Sequence, residues 1–132
     1  MNRSAIREEA FKLLYSLEIQ KEDSEEQIKT FFETYDIEDK EAQEYIIDVA
    51  TGIKENEENI ISIITKYLKP EWKLERVSKI SLVLLKLAIY EIKYKELPYK
   101  VVINEAVELS KKYGDDAAKT FVNGMLASIV GE

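Results

Sequence analysis

At 132 residues the chain is sized for one domain that buries a core without staples, and its formal net charge of −7 repels nucleic acid on average. It contains neither cysteine nor histidine. That excludes disulfides, metal sites built from thiolate or imidazole, and any nucleophile–histidine pair, so an enzyme is not expected unless its site uses carboxylates alone.

Two prolines and four glycines leave few turn signals, and most apolar residues recur at helical spacing. The pattern predicts an all-α bundle of about seven helices. The first runs from about Ser4 to Gln20, with Ile6, Ala10, Leu13, Leu14 and Leu17 on one face. A second starts at Ser24, whose spacing to Gln27 fits a capping box, and reaches about Thr34. The third follows Asp36 and carries Ala42, Tyr45, Ile46, Val49 and Ile53 as its stripe. Asn56 is placed to N-cap the fourth, which bears Ile60, Ile61, Ile64 and Leu68. Pro70 breaks the pattern, because proline disfavours helical geometry in the residue before it.

The fifth helix is predicted from about Leu74 to Lys95. Its middle, SLVLLKLAIYEI, is apolar nearly all round, which suits a central helix covered on most sides. Leu97-Pro98 ends it. The sixth and seventh helices are divided by Tyr113-Gly114-Asp115, where Gly114 suits a left-handed C-cap and Asp115 or Asp116 suits the next N-cap. The chain is therefore expected to be one domain, 1–132, with sub-bundles of about 1–69 and 70–132. No apolar run approaches a membrane span and no signal-peptide core is present, so a soluble, cytoplasmic protein is expected.

The charge is unevenly spread. Residues 21–60 hold four basic and fourteen acidic side chains, whereas residues 61–132 hold twelve basic and nine acidic. Any nucleic-acid surface therefore needs a local basic face, with the acidic second and third helices turned away. Arg3 and Arg7 stand at i, i+4 and so project from one side of the first helix. Lys111, Lys112 and Lys119 flank the Gly114 turn with Tyr113 and Phe121 interleaved, a mixture of cations and rings that suits unpaired RNA. By spacing alone these residues read first as surface lysines and a core-facing Phe121.

Asn104, in INEAVEL, and Asn123, in FVNGML, are unfavourable in a plain core helix. An amide on an inner face needs a partner, so the two are expected to bond helix ends or each other, with Gly124 allowing close approach. Base reading by their amides is the alternative. Glu91 and Glu105 are expected to be internal partners of Arg76 or Lys86 rather than an acid–base pair.

Three separated blocks carry a family resemblance across the chain. RSAIREEAFKLLYSLEI has an arginine-bearing start, the Arg7-Glu8 pair and the Leu14-Tyr15 pair. The patch at Trp72 leads through Arg76-Val77 into LVLLKLAIYEI, and PYKVVINEAVELSKKYG is followed by FVNGML. In that order and spacing the blocks resemble the NusB family of bacterial transcription antitermination factors.

The resemblance implies an all-helical protein without a catalytic step or cofactor. It pairs with NusE, which is also a ribosomal small-subunit protein, and the pair binds boxA RNA in nascent leader transcripts. Together they join the elongating RNA polymerase with NusA and NusG. Carried over, Arg3, Arg7, Tyr15, Lys119 and Phe121 would make the RNA surface, and Ser81 and Tyr90, taken as exposed, would meet NusE. Arg76, Asn104, Glu105, Asn123 and Gly124 would be structural.

The chain also departs from the family pattern. Ser4, Ala5 and Ile6 interrupt the arginine run, Lys86 stands where arginine is common, and Leu82 where a basic residue is frequent. Fewer phosphate contacts imply strong dependence on NusE. Homodimerisation, which would bury such surfaces, stays open. So do an RNA-engaging domain of an rRNA cytosine methyltransferase and a helical scaffold that binds protein only.

Overall fold

The computed structural model describes residues 1–21 and 24–131. Among them are seven α-helices: α1 (Arg3–Gln20), α2 (Ser24–Thr34), α3 (Lys40–Glu55), α4 (Glu57–Tyr67), α5 (Lys79–Lys93), α6 (Tyr99–Tyr113) and α7 (Asp116–Val130). A single 3-10 turn, Leu74–Arg76, precedes α5.

The all-round apolar segment does become the central helix. Every residue from 81 to 91 is buried, and α5 packs against α1, α3, α4, α6 and α7. Leu85 and Ile89 are completely buried, and Leu82 also lies in the core. Leu13, Ile46, Ile60, Val102, Val122 and Leu126 bring the other helices onto that axis, giving one continuous hydrophobic cluster.

Several helix ends differ from the sequence reading for local reasons. The fifth helix begins at Lys79, because the Ser78 hydroxyl accepts from the Ser81 amide and fixes the N-terminus there. Asn56 does stand between α3 and α4, but its amide donates back to the Gly52 carbonyl at 2.8 Å and closes α3 instead of capping α4. The expected Ser24–Gln27 capping pair is not made: Ser24 is already helical, and the buried Gln27 side-chain amide has no hydrogen-bond partner among the described residues.

Asp115 caps α7 as expected, accepting from the Ala118 amide at 2.8 Å. Gly114 is not left-handed, with φ −109° and ψ −149°. Its requirement for glycine is one of space: a Cβ there would approach the Ala118 methyl and the Ser110 carbonyl oxygen to 2.9 Å each.

Candidate nucleic-acid interface

The first half of α1 is joined to the sixth helix by polar and ring contacts. Asn2 caps α1 by accepting from the Ala5 amide at 2.7 Å, and that start leaves Arg3 exposed. At the next residue, the Ser4 hydroxyl donates to Glu105. Further along, Lys112 Nζ lies 2.6 Å from Glu8 Oε2, the Tyr113 hydroxyl donates to the same carboxylate, and the Phe11 and Tyr113 rings sit 5.1 Å apart. These contacts bring the start of the chain and the basic turn around Gly114 together.

Arg7 is not part of the exposed surface. Its Nε lies 2.9 and 3.0 Å from the two carboxylate oxygens of Glu91 on α5, with Nη1 3.7 Å from Glu105, and the residue is 6% exposed. Tyr45 of α3 donates its hydroxyl to the same Glu91, so one buried carboxylate ties α1, α3 and α5 together. Arg7 therefore positions α1, which corrects its expected role as a phosphate contact.

The internal partners of the glutamates are corrected too. Glu91 and Glu105 serve Arg7 and Ser4. Lys86 bridges Glu18 and Glu57 at 2.8 and 2.7 Å, and Arg76 is exposed.

Ser81 and Tyr90 also fall on the inside, at 3% and 5% exposure. Tyr90 stacks on Tyr94 and donates to Asp48, so neither residue offers the outward face expected of a partner contact. Asn104 and Asn123, by contrast, are exposed, and their side chains make no hydrogen bond among the described residues. Gly124 is exposed with nothing within 4 Å of where its Cβ would stand, so it supports no close helix approach. The structural lock expected of these three residues is absent. A helical period cannot distinguish an inner amide from an outer one when the stripe is broad.

Phe121 is half-buried and packs against Trp72, with centroids 5.5 Å apart and planes inclined by 31°. Lys119 is half-buried nearby in sequence and has no ion pair among the described residues. Tyr15 is half-buried, 6.1 Å from the Phe11 ring. Arg3 lies beside a cleft whose walls include Glu41, Glu44 and Asp48, so α3 presents its acidity next to the chain's first arginine.

The Lys112 ammonium, then the Tyr113 hydroxyl, hold the Glu8 carboxyl below its ordinary pKa of 4.5, against a smaller opposing effect of burial. Burial and the bond to Glu8 push the Tyr113 phenol up to about 12. A carboxylate with a depressed folded pKa contributes stability above its unfolded pKa and loses it as pH falls through the folded value. The urea midpoint is therefore expected to fall as pH drops below about 4.5, and Glu8→Gln should lower it at neutral pH while flattening that acid slope. An unchanged slope in Glu8→Gln would contradict the contact.

Residues 4–131 match the NusB family, and that match decides the family. The chain belongs to the NusB family. It is 47% identical over 131 residues to the transcription antitermination protein NusB of Acetivibrio thermocellus, covering 98% of this chain and 89% of the relative. The NusB of Clostridium botulinum strain Alaska is 39% identical, with 98% of each chain covered.

Among solved structures, Thermotoga maritima NusB superposes with a TM-score of 0.89 at 37% identity, covering 100% of this chain and 92% of that one. A structure of antitermination factors NusB and NusE in complex with double-stranded RNA superposes equally well, at 0.89, with 31% identity and 98% and 96% covered. The seven-helix fold is that of the family, whose members are transcription antitermination proteins and not enzymes. No described helix is long and apolar enough to cross a membrane.

Proposed function

We propose that this NusB-family chain pairs with NusE, binds boxA RNA in nascent leader transcripts in the cytoplasm, and joins the elongating RNA polymerase with NusA and NusG so that transcription resists premature termination. The observation that carries the reading is the close structural match to a NusB solved together with NusE and RNA. On this reading Arg3 and Lys119 meet phosphates, Phe121 meets a base, and Tyr15 supports α1 from its place against Phe11. The α3 carboxylates beside Arg3 oppose its phosphate contact, and NusE supplies cations that the chain lacks.

The test is a titration of labelled boxA-type RNA with the chain, with and without NusE, against a scrambled RNA. The pair is expected to bind boxA more tightly than either the chain alone or the pair on scrambled RNA. Lys119→Ala and Arg3→Ala should each weaken binding and reduce the logarithmic salt slope by roughly one. Equal binding of boxA and scrambled RNA by the pair would remove the boxA assignment. Equal binding by the chain with and without NusE would remove the dependence on the partner.

A further inference from the structure

The largest side chain in the protein is left half outside. Trp72, the single tryptophan, is 47% exposed in the turn that follows Pro70, where its amide donates to the Lys69 carbonyl at 2.9 Å. An indole is the costliest side chain to leave in water, and this one is not disordered solvent-facing bulk: it is held against Phe121 of α7, with the Lys69 ammonium 5.7 Å from its ring centroid. Two rings from distant parts of the chain therefore form a fixed step at the surface.

The step walls a groove of about 730 Å³, which Lys73, Arg76 and the exposed α5 N-cap, Ser78, also line. Lys69, Lys73 and Arg76 make no ion pair among the described residues. Glu71 and Asp115 lie in the same groove, but the Asp115 carboxylate is committed to the α7 amide of Ala118. The groove is lined by Lys73 and Arg76 and by Glu71 and Asp115, so it carries no net charge in a chain whose net charge is −7.

We propose that Trp72 and Phe121 form a stacking site for an unpaired base of single-stranded RNA, with Lys73 and Arg76 meeting the phosphates on either side. This rests on the RNA-binding reading above and extends it from Phe121 to the turn between α4 and α5. The chemistry is that of sequence-tolerant single-strand recognition: a ring offers its face to any base, and cations track the backbone. An apolar side chain of a protein partner would use the rings equally well; RNA is the occupant assigned because the groove shares Phe121 with the RNA surface of the reading above.

The single tryptophan makes the site directly readable. The chain, paired with a tryptophan-free NusE, is titrated with single-stranded boxA-type RNA while Trp72 emission and the anisotropy of labelled RNA are followed. Emission is expected to be quenched in step with binding, and by much less with a duplex of the same sequence. Trp72→Ala should weaken single-strand binding about tenfold, whereas Trp72→Phe, which keeps a ring, should stay within about threefold of the native chain. Trp72 is half exposed and packs on Phe121, so thermal unfolding of each variant is measured alongside and binding is compared where both are folded.

Native-like binding by Trp72→Ala together with unmoved Trp72 emission would overturn the stacking site and leave the RNA-binding reading standing. Emission that changes on adding NusE alone and not on adding RNA, with NusE binding lost in Trp72→Ala, would assign the groove to protein and overturn the proposal. Absence of RNA binding by the native pair would remove both.

Discussion

Arg7→Ala is expected to destabilise the protein by about 3–5 kcal/mol, read as a lowered urea midpoint, because it strands a buried charge. Glu91 is 1% exposed on the central helix, and both its oxygens face the Arg7 guanidinium at 2.9 and 3.0 Å. Burial is the largest single effect and opposes the charge on Arg7, but the bond to Glu91 and the surrounding charges of Glu91, Tyr45 and Glu105 together outweigh it and raise the guanidinium's pKa. Burial and the same carboxylate push the Tyr45 phenol far up, so Tyr45 stays a neutral donor and cannot replace the lost cation.

A buried pair is weak evidence of net stabilisation, since its desolvation offsets its attraction; the large cost comes from removing one partner alone. The double variant Arg7→Met, Glu91→Leu should therefore recover most of the loss. The outcome also bears on function. If Arg7→Ala cost under about 1 kcal/mol, as exposed charged residues do, Arg7 would return to the surface as a phosphate contact. The geometry instead predicts that the salt slope of RNA binding by folded Arg7→Ala is unchanged.

Much of the fold was legible because burial writes itself locally. The run SLVLLKLAIYEI has no polar face to offer, and it became α5, buried from 81 to 91. Pro70 and Pro98 marked two of the breaks. The fifth helix was drawn too long at its start, since Leu74-Glu75-Arg76 has helical spacing but closes only a 3-10 turn before Ser78 captures the Ser81 amide.

The site was less legible, and the failures share a cause. The i, i+4 spacing of Arg3 and Arg7 is a statement about one helix, whereas the partner that draws Arg7 inward stands 84 residues away on α5. Asn104, Asn123 and Gly124 were assigned inward by their poor helix propensity, yet an exposed position tolerates asparagine and glycine at a cost of only a few tenths to about 1 kcal/mol. Trp72 carried the missing signal: a tryptophan in a proline turn, two lysines and an arginine around it, lies outside every apolar stripe. Its pairing with Phe121 could not be read, because that contact spans the whole C-terminal half of the chain.

Gly52→Ala, a substitution that stabilises most helix interiors by about 0.5–1 kcal/mol, is expected here to destabilise by about 1–3 kcal/mol. Gly52 lies within α3, and a Cβ at that position would overlap the phenol ring of Tyr90. The ring has little room to withdraw. It is stacked on Tyr94 with centroids 5.6 Å apart, its hydroxyl donates to Asp48 Oδ1 at 3.2 Å, and Asp48 is itself held by Lys95 at 2.9 Å. Glycine at 52 is thus a dent in α3 that receives a side chain of α5, which is how the two helices meet closely at that level. Thermal unfolding of Gly52→Ala should show a lowered midpoint. In a Tyr90→Leu background, where the overlapping phenol is gone, the same substitution should become neutral or favourable, because only its helix propensity remains. The comparison also decides where Tyr90 points. A tyrosine turned outward to meet a partner would leave the dent empty, and Gly52→Ala would then raise the midpoint of the native chain. A lowered midpoint that the Tyr90→Leu background relieves keeps Tyr90 between α3 and α5 and removes it from any partner surface.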